Sequence, residues 1–243
     1  MRVSDTARAQ REELMAYLAR RPTEPLPAEH RLKRLARRVV PAKVRPFAAR
    51  TVTDALRPRE RRRAQGLTAA PLRLHLGSAG SVKQGWVNVD FAGHPTELAW
   101  NLLRPLPFPD ETADAVFHEH VLEHFSLSDG LRLIDDSFRV LRPGGVLRVG
   151  VPDAGAYAHS YTRGGAGVIE GVRPGRPTPM MALAEIFYSH GHRWMYDAET
   201  LAYVMSAAGF TSVAERPFGE SAISPAPDSE SRRDETVYVE GTR

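Results

Sequence analysis

The segment His118-Glu-His-Val-Leu-Glu-His124 packs three imidazoles and two carboxylates into seven residues, a density that suggests chemistry rather than packing. On a helix, a spacing of four puts His120 and His124 on one face with Glu123 beside them. Three uses compete. As metal ligands, His120 and His124 form an i, i+4 pair, although the order of residues departs from the H-E-x-x-H of zinc hydrolases. As structural groups, they cap the helix and hydrogen-bond around a bound ligand. As catalysts, one of them serves as a general base. A second concentration is Tyr188-Ser-His190-Gly-His192-Arg-Trp194-Met-Tyr196-Asp197. Aromatic faces stack on sugar rings while polar groups take hydroxyls, so this mixture suits carbohydrate. Here too a plainer use exists: Tyr196-Asp197 also reads as the start of a helix, and a lone histidine is more often structural.

Two further features lie upstream. The apolar run Leu72-Arg-Leu-His-Leu breaks into Gly77-Ser78-Ala79-Gly80, and Gly85-Trp-Val-Asn-Val ends on Asp90. A turn with little or no Cβ lets a ligand approach the backbone at the carboxyl end of a strand, where open parallel sheets bind ligands. A carboxylate at the end of the next strand can accept both hydroxyls of a ribose. The dinucleotide fingerprint G-x-G-x-x-G is absent.

These groups need a scaffold. Strands are expected near 72–76, 86–90, 114–118, 146–151, 211–217 and 235–240, and helices near 127–141 and 197–208. Asp197-Ala-Glu-Thr offers a helix N-cap and Gly209 a stop beyond it. Strands alternating with helices imply a parallel sheet covered on both faces. Residues 155–179 hold six glycines, three prolines and, from His159 on, four Arg or His. That composition predicts an irregular loop beside the site, with Tyr157 at its start.

The order of these fragments, closing with Arg139-Val-Leu-Arg-Pro-Gly-Gly145 and a strand ending on Asp153, resembles the class I methyltransferases that use S-adenosylmethionine (SAM). The likeness is to the type 11 methyltransferase domain, and within it to the branch of sugar and polysaccharide O-methyltransferases that includes enzymes of methylmannose polysaccharide assembly. It covers about residues 72–215. It implies a Rossmann-like sheet of seven strands, mostly parallel with an antiparallel last strand. By resemblance Gly77, Ser78 and Ala79 form the SAM turn, although the family usually has glycine at position 79. Asp90 takes the ribose, Phe91 flanks the adenine, and Asn101 and Leu102 meet its edge, where the family more often has Asp than Asn. His118 and Glu119 line the methionine end. Facing the acceptor are Glu123, His124 and Asp153, with His120 and His192 as further bases, and Tyr157, His190, Trp194 and Tyr196 bind substrate. The implied reaction is methyl transfer to a sugar or oligosaccharide hydroxyl, with a His/carboxylate base and an optional Mg²⁺ on Glu123 and Asp153. A small natural product or a lipid headgroup is the rival acceptor. The non-enzyme rival is a SAM-binding scaffold with a basic interaction arm.

Composition narrows the setting. The absence of cysteine excludes disulfides, thiolate zinc sites and a thiol nucleophile. No apolar stretch reaches the length of a membrane span and no signal core follows Met1, so a cytoplasmic protein is expected. The net charge of +4 conceals a division: residues 1–66 carry 18 Lys and Arg against 7 Asp and Glu, and the remainder 15 against 22. A basic arm on an acidic domain implies intramolecular docking or an anionic partner. The arm has only Tyr17 and Phe47 as aromatics, so nucleic acid is not expected. Its pattern predicts helices over 5–20, 32–40 and 45–56, the last stopping before Pro58, acting as a lid or as a peripheral membrane contact. Homo-oligomers remain compatible with the sequence.

Overall fold

The computed structural model describes residues 45–91 and 96–243, and of residues 45–52 only the backbone. The two arm helices expected over 5–20 and 32–40 lie outside the described residues. The strands are β1 (Arg73–Leu76), β2 (Val87–Asp90), β3 (Leu98–Ala99), β4 (Ala113–Glu119), β5 (Leu141–Pro152), β6 (Thr211–Glu215) and β7 (Thr236–Thr242). They form one sheet in the order β3-β2-β1-β4-β5-β7-β6. The first five pair in parallel, and β7 runs antiparallel to both β5 and β6. The expected seven-stranded sheet is therefore present, including β3, a two-residue strand too short to leave a periodic signal.

The alternation of the strands sorts two cores. Leu74 and Leu76 of β1, Val116 of β4 and Leu147, Val149 and Val151 of β5 join the larger one, beneath α2 (Leu127–Val140) and α6 (Ala198–Ala207). Ala115 and Phe117 of β4 turn to the opposite face, against Trp86, Ile223 and Tyr238. On that face Arg148 is fully buried, pairing with Asp228 at 2.5 Å and Glu240 at 3.0 Å, its guanidinium carbon 4.6 Å from the Tyr238 ring centre. It also donates to the carbonyls of Pro217 and Glu220, which ties the segment after β6 to the sheet. α6 starts on the expected cap, Asp197 accepting from Thr200 N, and α2 starts on Ser126, which accepts from Asp129 N.

Two expectations need correction. The third arm helix does not stop before Pro58 but runs as α1 (Arg45–Gln65) straight through it. Proline removes one helical donor, yet the helix is pinned on both sides of it. Thr53 Oγ1 donates to the Phe91 carbonyl, Glu60 accepts from Ala99 N at 3.0 Å, and Ala64 is buried in the larger core. This part of the arm thus covers the β3 edge of the sheet. The irregular loop expected over 155–179 is largely helical, as α3 (Ala154–Thr162) and α4 (Val168–Val172), followed by α5 (Pro179–Tyr188). Its glycines are concentrated in the turn between α3 and α4, where Gly164, Gly165 and Gly167 all have positive φ. Ser160 Oγ stitches that turn by donating to the carbonyls of Gly165 and Ala166. Among the described residues no helix is long and apolar enough to cross a membrane.

Candidate active site

β1 lies between β2 and β4, whose connections leave in opposite directions, and such a switch point opens a crevice at the carboxyl ends of the strands. A cavity of about 390 Å³ sits there, lined by Gly77, Ala79, Asp90, Phe91, Trp100, Leu102, Leu103, His120, Val121, His124, Phe125 and Arg193. Gly77 has φ +70°, and a Cβ on it would stand 2.3 Å from Val121 Cγ2, so only glycine lets the two chains approach. Ala79 adopts φ +44° at the position where glycine was the expectation. Asp90 holds it there: one carboxylate oxygen accepts from Ala79 N at 2.8 Å and the other from Phe91 N at 2.6 Å. Trp100, nearly buried, has an indole N–H without a hydrogen-bond partner.

A second cavity, of about 450 Å³, adjoins the first and is polar. His120 and His124 line both. The rest of its wall includes Glu123, Arg173, Arg176, His190, His192, Arg232 and Glu235. At its centre is Glu123, fully buried, with neither carboxylate oxygen hydrogen-bonded. Around Glu123 Oε1 stand His120 Nδ1 at 3.6 Å, His124 Nε2 at 4.0 Å and His192 Nε2 at 4.0 Å. Burial pushes the Glu123 carboxyl up to about 8, outweighing the nearby Arg232. Burial also holds His120 down to about 2, with Arg232 adding to the effect, and His192 down to about 4 despite its bond to the Ile186 carbonyl. All three groups are thus predominantly uncharged at neutral pH.

The geometry separates the sequence-derived residues. Gly77, Ala79, Asp90, Phe91 and Leu102 line the first cavity. Ser78 is buried without lining it, and Asn101 is tied to Asp54 and to Leu103 N while its neighbour Leu103 reaches the cavity. His118 and Glu119 belong to neither cavity. The strand continues through both residues, so period-two alternation sends His118 into the larger core, and Glu119 to the far face. There Glu119 accepts from Tyr238 Oη at 2.6 Å and Ser229 N at 3.1 Å.

The acceptor-side residues divide in the same way. His120, Glu123, His124, His190 and His192 converge. They do so without the α-helix assumed for the i, i+4 pair: His120 turns the chain at φ +53° and Leu122–His124 is a single 3-10 turn. Asp153 is the N-cap of α3, its carboxylate accepting from Ala156 N at 2.9 Å, and it is not among the residues that line the polar cavity with Glu123. Tyr157 stands behind the wall, bonded to Glu235 and Arg173. Trp194 and Tyr196 lie outside the lining; Tyr196 is buried in the larger core. Four polar wall residues were not anticipated as site residues. Arg173 and Arg176 lie in the segment noted for its basic residues, Glu235 immediately precedes the last strand, and Arg232 gave no signal.

This sheet order, with antiparallel β7 and a ligand-sized crevice between the β1 and β4 ends, defines the class I SAM-dependent methyltransferase fold. The family described as a methyltransferase domain matches residues 80–149. The chain is 32% identical over 108 residues to a probable S-adenosylmethionine-dependent methyltransferase of Mycolicibacterium smegmatis, an alignment covering 44% of this chain and 32% of that protein. The chain thus spans about a third of that relative's length. Among solved structures it is similar to a SAM-dependent methyltransferase of Archaeoglobus fulgidus (14% identity, 80% of this chain and 94% of that one, TM-score 0.46). It is also similar to a possible histamine N-methyltransferase of Thermotoga maritima (18% identity, 75% and 87%, TM-score 0.45).

Proposed function

We propose that the chain is a SAM-dependent O-methyltransferase whose acceptor is a hydroxyl of a sugar or oligosaccharide. The observation that carries this reading is the pair of adjoining cavities with His120 and His124 as their common wall. The first fits SAM: Gly77 gives close backbone approach, Asp90 offers lone pairs to ribose hydroxyls, and Leu102, Leu103 and Trp100 supply an apolar wall for the adenine. When bound, SAM supplies an activated methyl group, so the chain's own task is to align the acceptor oxygen and take its proton. His120 and His124 line both cavities, which places imidazoles beside the path between the acceptor oxygen and the methyl group. The second cavity is walled by imidazoles, guanidinium groups and carboxyls, the groups that bind hydroxyl-rich ligands.

Arg173, Arg176 and Arg232 on one wall favour, as a second reading, an acceptor that also bears an anionic group, such as a lipid headgroup. Labelled SAM with a panel of neutral sugars, sugar phosphates, uronic acids and phospholipid vesicles separates the two. Turnover of neutral saccharides supports the first reading and turnover confined to anionic acceptors the second. Methylation of amines or proteins alone would overturn both.

A further inference from the structure

We propose that Glu123, His124 and His192 form a binding site for one divalent transition-metal ion, with an open coordination position facing the polar cavity. One ligand atom from each residue lies within 4.8 Å of the other two, a convergence of three His, Asp or Glu ligand atoms that no other group among the described residues makes. Metal–ligand bonds of about 2.0–2.2 Å put tetrahedral ligand atoms roughly 3.4 Å apart. The two Oε1–Nε2 separations of 4.0 Å therefore need to close only slightly. His124, with 40% of its side chain exposed, is the residue with room to move.

Two independent observations point to a ligand. A fully buried carboxyl group with two unpartnered oxygens is costly unless something occupies the space between it and its neighbours, and here those neighbours are imidazole nitrogens. The tautomer of His192 is also fixed. Its Nδ1 lies 2.6 Å from the Ile186 carbonyl, which can only accept, so Nδ1 carries the proton and the Nε2 lone pair faces Glu123. An imidazole whose distal N–H is held by a backbone carbonyl is the usual second sphere of a metal ligand. His120 plays a related part without being a ligand. With Nε2 2.7 Å from Thr236 Oγ1, its Nδ1 flanks the same carboxylate oxygen. It is a positioning residue for Glu123.

Two imidazoles and one carboxylate suit Mn²⁺, Fe²⁺, Co²⁺ or Zn²⁺ better than Mg²⁺ or Ca²⁺, which prefer oxygen-rich sites. Three protein ligands with one position open is the arrangement of catalytic rather than structural zinc sites. Arg176 and Arg232 share the cavity, so an oxygen on that position would lie in a cavity that also holds two guanidinium groups. That the open position serves the acceptor rests on the proposed function, but the site itself does not, because it can be read without turnover.

The full chain, stripped with a chelator, is titrated with Co²⁺ and followed by its visible absorption, with Zn²⁺ and Mg²⁺ as competitors. The expected result is one Co²⁺ per chain, displaced by Zn²⁺ and not by millimolar Mg²⁺. Glu123→Gln, His192→Gln and His124→Ala should each weaken Co²⁺ binding by more than about 100-fold. Melting temperatures within a few degrees of the parent establish that the variants are folded. No stoichiometric Co²⁺ or Zn²⁺ binding by the parent, preference for Mg²⁺, or parental affinity in folded variants would each overturn the site. A metal-free chain that methylates its acceptor would overturn the role of the open position in turnover and leave the methyltransferase reading standing.

Discussion

Asp90 is the residue on which the proposed SAM cavity depends most directly, and its substitution gives the sharpest test. Its two oxygens hold Ala79 N and Phe91 N, the backbone of both lips of the cavity. Hydrogen bonds to a charged group contribute about 1.5–3 kcal/mol each, and these two are exposed enough to belong at the lower end. Asp90→Ala therefore removes about 3 kcal/mol of loop anchoring and the acceptors for the ribose. Part of the first loss falls on folding and part on binding. The expected result by calorimetry is a SAM and S-adenosylhomocysteine Kd raised about 30–100-fold, equivalent to about 2–3 kcal/mol. Asp90→Asn keeps one oxygen acceptor and should fall between the parent and the alanine variant. Ala79→Gly supplies the control. At φ +44° alanine carries left-handed strain of about 1 kcal/mol, so glycine should leave affinity unchanged or improve it. An Asp90→Ala variant that is folded and binds SAM within two-fold of the parent would refute the cavity assignment.

Three further outcomes follow from the same structure. Arg148→Met strands the buried Asp228 and Glu240 carboxylates; removing one partner of such a network costs about 3–5 kcal/mol, so calorimetric Tm should drop on the order of 10 °C, and a drop under 2 °C would contradict it. Burial holds His75 down to about 4, so between pH 6.5 and 4 the unfolded chain binds a proton that the folded chain refuses. Stability should therefore fall with pH across that window, by about 3 kcal/mol from this residue, and His75→Leu should flatten the pH dependence of urea midpoints there. Gly77→Ala forces a Cβ against Val121, which lines the cavity; SAM affinity should fall at least ten-fold with about 1–3 kcal/mol of destabilisation, and an unchanged Kd would show that Val121 is not part of the binding wall.

The parts of the fold that were legible in the sequence are those where one local signal suffices. β1, β2, β4 and β5 announce themselves as apolar runs, and α6 by Asp197 at one end and Gly209 at the other. What the sequence conceals depends on where an element stops. His118 and Glu119 look like site residues because they adjoin His120, but strand pairing persists to Glu119↔Gly150 and alternation removes both from the cavity. Asp153 follows a strand and precedes a helix, a position suited both to catalysis and to capping, and its carboxylate caps the helix through the Ala156 N–H. Glycine content misled over 155–179, since three positive-φ glycines make one tight turn between helices rather than a long loop. Pro58 misled in α1 because tertiary anchors at Thr53 and Glu60 override a local breaker.

The two histidine-rich segments are distant in sequence, and the structure shows what joins them. After β4 ends, the left-handed turn at His120 and the single 3-10 turn that follows point Glu123 inward and leave His124 at the cavity wall. The Glu123 carbonyl then accepts from Arg193 N at 2.7 Å and Trp194 N at 3.2 Å. His190 and Gly191, both at positive φ, turn the chain just before that contact, so His192 arrives beside the carboxyl of the residue whose backbone holds its neighbours. Glu123 is therefore both the bolt between the segments and the centre of the charge-poor cluster they create. Its side chain can be changed while the bolt stays closed, because the carbonyl survives every substitution. This separation of backbone and side-chain roles is why Glu123→Gln should remain folded with His192 in place, and why a loss of metal affinity in that variant would report on the carboxylate alone.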